Sequence, residues 1–151
     1  MTNKLLKTFI AIMALLMITG CSSDTTTTYT KNIKNVASFK VTITSDDDEV
    51  SEIEMYSKIQ IGSDTLTEKD AKDAVKENKK QYKEIKGVNY TSKVTSKSCV
   101  ETTTYTINSD TYSSLKKNGL IAGLTNDKKK TVSLKSTKKH FENNGYKLKK
   151  D

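Results

Sequence analysis

Residues 36–61, VASFKVTITSDDDEVSEIEMYSKIQI, decide the fold class. Ala37, Phe39, Val41 and Ile43 alternate with Ser38, Lys40 and Thr42, the pattern of a half-buried strand with one apolar face. After Ser45-Asp46-Asp47-Asp48 the alternation resumes. Ile53, Met55, Ile59 and Ile61 are expected inward, and Glu52, Glu54, Lys58 and Gln60 outward. Two such runs joined by a short acidic turn predict an antiparallel hairpin.

Downstream, the period changes to that of a helix. Thr67 is a good N-cap, Thr67-Glu68-Lys69-Asp70 approximates a capping box, and Leu66 sits where a hydrophobic staple would. Ala71, Ala74, Val75, Asn78, Tyr82 and Ile85 then fall on one face. Gly87 suits the left-handed residue that ends a helix, which predicts a helix over Thr67–Lys86. Residues 88–107 predict a second hairpin turning at Ser96-Lys97-Ser98. Its strand ETTTYTIN is strongly β-favouring, with Cys99, Thr103, Tyr105 and Ile107 expected inward.

Asp110 is expected to cap a short helix through Lys117, ended by Asn118-Gly119, with Leu120, Ile121 and Leu124 forming an apolar turn under the sheet. Val132 and Leu134 read as a short extended piece. Ser136 then caps a last helix to Asn144, stopped by Gly145. The fold class is α+β: an antiparallel sheet of two hairpins packed against one long and one or two short helices.

Leu5 to Cys21, LLKTFIAIMALLMITGC, precedes all of this. Its apolar run is shorter than the roughly 20 residues needed to cross a bilayer. The lysines Lys4 and Lys7, a short apolar middle and small residues before a cut site describe a secretory signal. Ile18-Thr19-Gly20-Cys21 resembles the lipobox of bacterial lipoproteins. That resemblance implies cleavage between Gly20 and Cys21 and a diacylglyceryl group on the Cys21 sulfur. Residues 1–20 are then the signal, 21–31 the lipidated cysteine with a flexible Thr-rich tether, and 32–151 a single α+β domain. Burial of acyl chains, at about 0.8 kcal/mol per methylene, holds such a protein on the membrane.

Composition narrows the partners. All 26 basic residues are lysine and the net charge is +8, of which Lys4 and Lys7 belong to the signal. Arginine is the usual bidentate reader of phosphate and bases, so nucleic acid is not an expected partner. Lysine excess suits anionic lipid or wall polymers, and the Lys-, Thr- and Asn-rich usage suits a low-GC Gram-positive bacterium. With Cys21 lipidated, Cys99 is left without a partner for an internal disulfide.

The segments SDTLTEKDAKDAVKENKKQYKEIKGV (63–88) and VSLKSTKKHFENNGYK (132–147) resemble the YehR-like lipoproteins, bacterial surface proteins of unknown function. The helix end Tyr82-x-x-Ile85-Lys86-Gly87-Val88, the following hairpin and Val132-Ser133-Leu134 carry the likeness. It implies a small α+β domain and brings no catalytic residues with it.

Three groups of residues invite chemistry. Cys99 and His140 are the candidates for a thiol–imidazole pair, although a small semi-buried cysteine and a surface histidine explain both. Asp46, Asp47, Asp48 and Glu49 offer hard oxygens to Ca²⁺, but lack the spaced ligands and glycine of an EF-hand loop. Lys128, Lys129, Lys130, Lys138, Lys139, Lys147, Lys149 and Lys150 make the C-terminal third basic, a solvated face or a contact for anionic lipid or wall polymer. No phosphate loop, nucleophile elbow or H-E-x-x-H helix is present. The expectation is a membrane-anchored extracellular lipoprotein that binds or scaffolds an envelope component, with no enzymatic activity, metal or cofactor. Its binding place is expected on the sheet, or in a groove between sheet and long helix. The alternative is a small-ligand-binding lipoprotein accessory to a transporter.

Overall fold

The computed structural model describes residues 24–62 and 66–149. The signal, its cleavage site and Cys21 lie outside the described residues, as does Lys150. The chain runs β1 (Thr25–Ile33), β2 (Ala37–Asp46), β3 (Glu49–Gln60), α1 (Glu68–Lys83), β4 (Val88–Val94), β5 (Ser98–Thr106), α2 (Tyr112–Lys117), β6 (Thr125–Asn126), β7 (Thr131–Val132), α3 (Leu134–Asn143) and β8 (Lys147–Leu148). Six strands form one sheet in the order β4-β5-β3-β2-β1-β8, and β6 and β7 form a small ribbon. Every pairing in both sheets is antiparallel.

Both predicted hairpins are present, and β3 pairs with β5 to join them. Residues opposite one another in an antiparallel sheet share a face, so the register sorts the side chains. Thr27, Ile43, Ile53, Tyr105 and Val88 form one row, and Tyr29, Val41, Met55, Thr103 and Tyr90 the next. Lys31, Phe39, Ser57, Glu101 and Ser92 follow on the same face. The helices cover this face: Tyr112 and Leu115 of α2 and Phe141 of α3 join the buried cluster that holds Val41, Ile43, Ile53 and Tyr105. The opposite face carries Thr28, Thr42, Glu54 and Thr104 in one row and Thr30, Lys40, Tyr56 and Thr102 in another. Its threonines explain why β5 is β-favouring yet apolar on one side only.

From Thr25 onward the expected tether is a strand instead. Thr25 to Ile33 is a strand paired with β2 along its whole length, and Tyr29 is 1 % exposed. Four consecutive threonines look like a spacer by polarity. However, β-branched residues suit a sheet whose outer face is polar, and a single tyrosine supplies the buried contact. Lys147 and Lys149 are tied to the same strand: Tyr29 pairs with Leu148, Thr30 with Lys147, and the Lys149 N–H donates to the Thr28 carbonyl at 2.9 Å.

Smaller differences have local causes. Val50 is buried against the β3 parity because a bulge between Thr44 and Ser45 inserts an extra residue, turning Ser51 outward. Ala74 is exposed, since α1 lies chiefly over β4 and β5 and buries a narrow stripe. Thr67 caps α1 as expected, accepting from the Asp70 N–H at 3.1 Å. The other two caps lie elsewhere. Asn108, rather than Asp110, gathers the Asp110 and Thr111 N–H groups before α2. Ser133, rather than Ser136, caps α3 by accepting the Ser136 N–H at 3.2 Å.

The acidic turn also has a structural task. Asp48 accepts the Lys135 N–H at 2.9 Å and the Ser133 hydroxyl at 3.0 Å, and its own carbonyl accepts the Leu134 N–H at 2.8 Å. It thus holds the N-terminus of α3 against the β2–β3 turn, where a carboxylate is favoured by unpaired N–H groups and the helix dipole. Asp48→Ala is expected to lower stability by about 1–2 kcal/mol in urea titrations, the range for a lost N-terminal cap. Asp47→Ala lacks this contact, but its φ of 49° means that alanine there adds backbone strain of its own.

Candidate functional site

The helix-covered face is not filled evenly. Between α1 on one side and Tyr146, just beyond α3, on the other lies a cleft of about 210 Å³. Phe39, Val41, Met55, Ser57, Glu101 and Thr103 contribute its floor, and Asn78, Tyr82, Tyr90 and Tyr146 its walls. Lys40 and Tyr56 border it from neighbouring strand positions, but their side chains belong to the opposite face, where Lys40 meets Glu54 at 3.8 Å.

Each element supplies its part for a local reason. Strand alternation brings Glu101 to the inner face, since it shares parity with Cys99, Thr103 and Tyr105. Helical spacing puts Asn78 and Tyr82, four residues apart, on the stripe of α1 that faces the sheet. Asn78 donates to the Glu101 carboxylate at 2.9 Å. The Tyr90 hydroxyl donates to the same oxygen, Oε1. Burial, reinforced by that bond to Glu101, holds the Tyr90 phenol well above its usual range, so it remains a donor at any physiological pH. Tyr82 lies beside Tyr90 with ring centroids 5.4 Å apart, and Tyr146 meets Phe39 edge-on at 6.5 Å. Two aromatic pairs therefore stand on either side of one carboxylate. Among the described residues no lysine forms an ion pair with Glu101.

Tyr29, under α3, works as a structural group. Its hydroxyl donates to Glu142 at 3.0 Å, and burial followed by this bond pushes its pKa up to about 12.

The residues singled out in the sequence are scattered. Cys99 is 2 % exposed, and burial followed by the Glu101 charge raises its thiol pKa, the reverse of what a nucleophile needs. His140 is exposed on α3 and packs edge-on against Phe141 at 5.3 Å. No hydrogen bond joins Cys99 to His140 among the described residues. Asp48 is engaged as a cap and Glu49 meets Lys129 at 3.5 Å. Among the described residues no group of three or more His, Cys, Asp or Glu side chains could hold a metal ion. A wider hollow beside α2 is lined by Tyr112, Lys116 and Asp127, which satisfy one another: Asp127 accepts from the Lys116 ammonium at 2.6 Å and the Tyr112 hydroxyl at 2.9 Å.

Sequence reasoning anticipated a groove between sheet and long helix but not Glu101 within it. The signal was available: an acid stands at an inward position of a strand otherwise facing inward with Cys99, Thr103, Tyr105 and Ile107.

A six-stranded antiparallel sheet with helices on one face defines a small α+β domain, and an aromatic cleft lies between sheet and long helix. The chain belongs to the family described as "Protein of unknown function (DUF1307)", whose model matches residues 25–147. Among solved structures, the NMR structure of the YehR protein of E. coli has a TM-score of 0.65 at 20% identity, covering 85% of this chain and 93% of that one. An NMR structure of a protein from Streptococcus pneumoniae TIGR4 has a TM-score of 0.51 at 15% identity, covering 89% and 90%. These likenesses establish the fold. No curated protein sequence matches the chain.

Proposed function

We propose that this protein is a lipid-anchored binding module of the bacterial cell envelope, displayed on the extracellular side, with no enzymatic activity of its own. The observation that carries the binding reading is the cleft between α1 and the sheet, where Glu101, Asn78 and three tyrosines converge. A concave, largely apolar site with a few fixed polar groups is the usual form of a ligand site. The anchor rests on Ile18-Thr19-Gly20-Cys21 and the apolar run before it. Among the described residues no helix is long and apolar enough to cross a membrane.

With β1 starting at Thr25, only residues 22–24 separate the lipidated cysteine from the sheet. At about 3.3–3.6 Å per residue they reach roughly 10 Å, so on this reading the Thr25 end stays close to the head groups. Lys129, paired with Glu49 beside the β2–β3 turn, belongs to that end, and Lys128 and Lys130 flank it. Lysines there favour anionic lipid by about 1 kcal/mol each. Glu101 shares its row with Lys31, six residues along β1 from Thr25, or about 20 Å further out at strand rise. On this reading the cleft lies away from the anchored end, within reach of wall or surface components.

The test is made in intact cells. The wild-type protein is expected in the membrane fraction, and Cys21→Ser is expected to be released or left as uncleaved precursor. Crosslinking of the wild type is expected to capture one dominant envelope component. Unchanged processing and membrane association of Cys21→Ser would overturn the anchor. Diffuse crosslinks would shift the binding reading to a small ligand handed to a transporter.

A further inference from the structure

We propose that the cleft receives a small organic ammonium group, with Glu101 as its counter-charge and Tyr82, Tyr90 and Tyr146 as its aromatic walls. The inference rests on the reading of the cleft as the binding place and adds the chemical class of what it takes.

Charge is the first observation. In a chain with 26 lysines and a net charge of +8, an acid has many potential partners, and four other carboxylates find one. Glu101 instead accepts two neutral donors, Asn78 and Tyr90, both at Oε1. Its second oxygen receives no hydrogen bond from the described residues. The surrounding lysines are placed where they do not neutralise it. Lys31 shares its row but stands three strands away, about 14 Å at ordinary strand spacing. Its ammonium is held by the Asn144 carbonyl at 2.9 Å. Lys40 serves Glu54 on the other face, and Lys79 and Lys83 line a separate hollow beyond the Tyr82–Tyr90 pair.

Shape and lining agree with a cation. Aromatic faces attract ammonium groups through the ring quadrupole, and quaternary or alkylated ammonium ions are recognised by boxes of such rings. Tyr146 already shows this affinity within the molecule, with the Lys31 ammonium 5.6 Å from its ring centre. An anion would meet the Glu101 carboxylate and is disfavoured. The cleft's roughly 210 Å³ lies below the 300–1,000 Å³ of sites that enclose a drug-sized molecule. It therefore suits a head group of a few heavy atoms, either free or projecting from a larger envelope component.

The test uses the full chain purified in maltoside detergent, with NMR of the Met55 methyl and Asn78 side-chain amide signals. The probes are tetramethylammonium and n-butylammonium chloride, with neopentyl alcohol and n-butanol as neutral matches. The ammonium probes are expected to shift these signals saturably, with affinity on the order of millimolar for so few atoms. The neutral probes are expected to bind at least about tenfold more weakly, and Glu101→Gln to weaken ammonium binding by about 10- to 100-fold, as for loss of a charged hydrogen-bond partner. Ammonium binding should also weaken as salt rises, a measurement that needs no variant. Equal shifts by neutral and cationic probes, insensitive to salt, would overturn the ammonium class while leaving the cleft a binding site. Absence of any saturable shift at these signals would overturn both.

Discussion

A chain shortened to begin at Lys34 will not fold, although every hairpin recognisable in its sequence remains intact. The deletion removes β1, whose nine residues pair with β2 throughout. It takes with it Tyr29, 1 % exposed and bonded to Glu142 on α3. Loss of one buried aromatic side chain costs about 3–5 kcal/mol, against a total stability of about 5–15 kcal/mol for a typical domain. Two further losses follow. Lys147 and Leu148 have no strand to pair with, so the segment carrying Tyr146 is no longer tied to the sheet. β2 becomes an edge, and its buried Val41 and Ile43 lose their cover from that side. Thermal melts followed by circular dichroism should show a cooperative transition for residues 24–151 and none for 34–151. A shortened chain melting cooperatively within a few degrees of the longer one would return β1 to the role of a tether.

Gly87→Ala is the point substitution with the largest expected effect. Gly87 links α1 to β4 with φ of +92°, a conformation that costs an L-residue about 1–2 kcal/mol. Space is lacking as well: a Cβ there would stand 2.6 Å from the Thr111 Cβ and 3.0 Å from the Thr106 carbonyl oxygen. Neither neighbour yields easily. Thr111 is fixed by its hydroxyl, which donates to Thr106 at 2.6 Å, and Thr106 is part of β5. Overpacking typically adds about 1–3 kcal/mol, so the total is about 2–5 kcal/mol. Urea titration is the measurement. Gly119→Ala is the control: its φ is +74° but no atom lies within 4 Å of its Cβ position, so it should show the backbone cost alone. Equal losses at both positions would mean that the Thr111 contact relaxes without cost.

The difference between these two glycines shows where sequence information stops. Both read as helix-ending residues, and both have positive φ. Crowding at Gly87 comes from Thr111, 24 positions away along the chain, and no local pattern announces it. The site behaves the same way. Glu101, Asn78 and Tyr82 are each placed on the correct face by strand or helix period, because alternation and the 3.6-residue turn are local properties of the backbone. That their polar ends meet depends on α1 crossing β4 and β5.

By itself the sequence determined the two hairpins, their apolar faces, the long helix with its Thr67 cap, and membership of a YehR-like α+β type. These follow from residue period, capping chemistry and turn residues, which act over fewer than about ten positions. Only the tertiary structure decided that Thr25–Ile33 is a strand, that Lys147–Leu148 closes the sheet edge, that Asp48 caps α3, and that Glu101 sits in an aromatic cleft with no ion pair to a lysine among the described residues. Some of these rest on partners distant in the chain: Tyr29 meets Glu142 across 113 positions and Asp48 meets Lys135 across 87. A threonine run has no apolar period of its own. It becomes a strand because a neighbouring strand offers hydrogen bonds and the assembled core has room for one tyrosine.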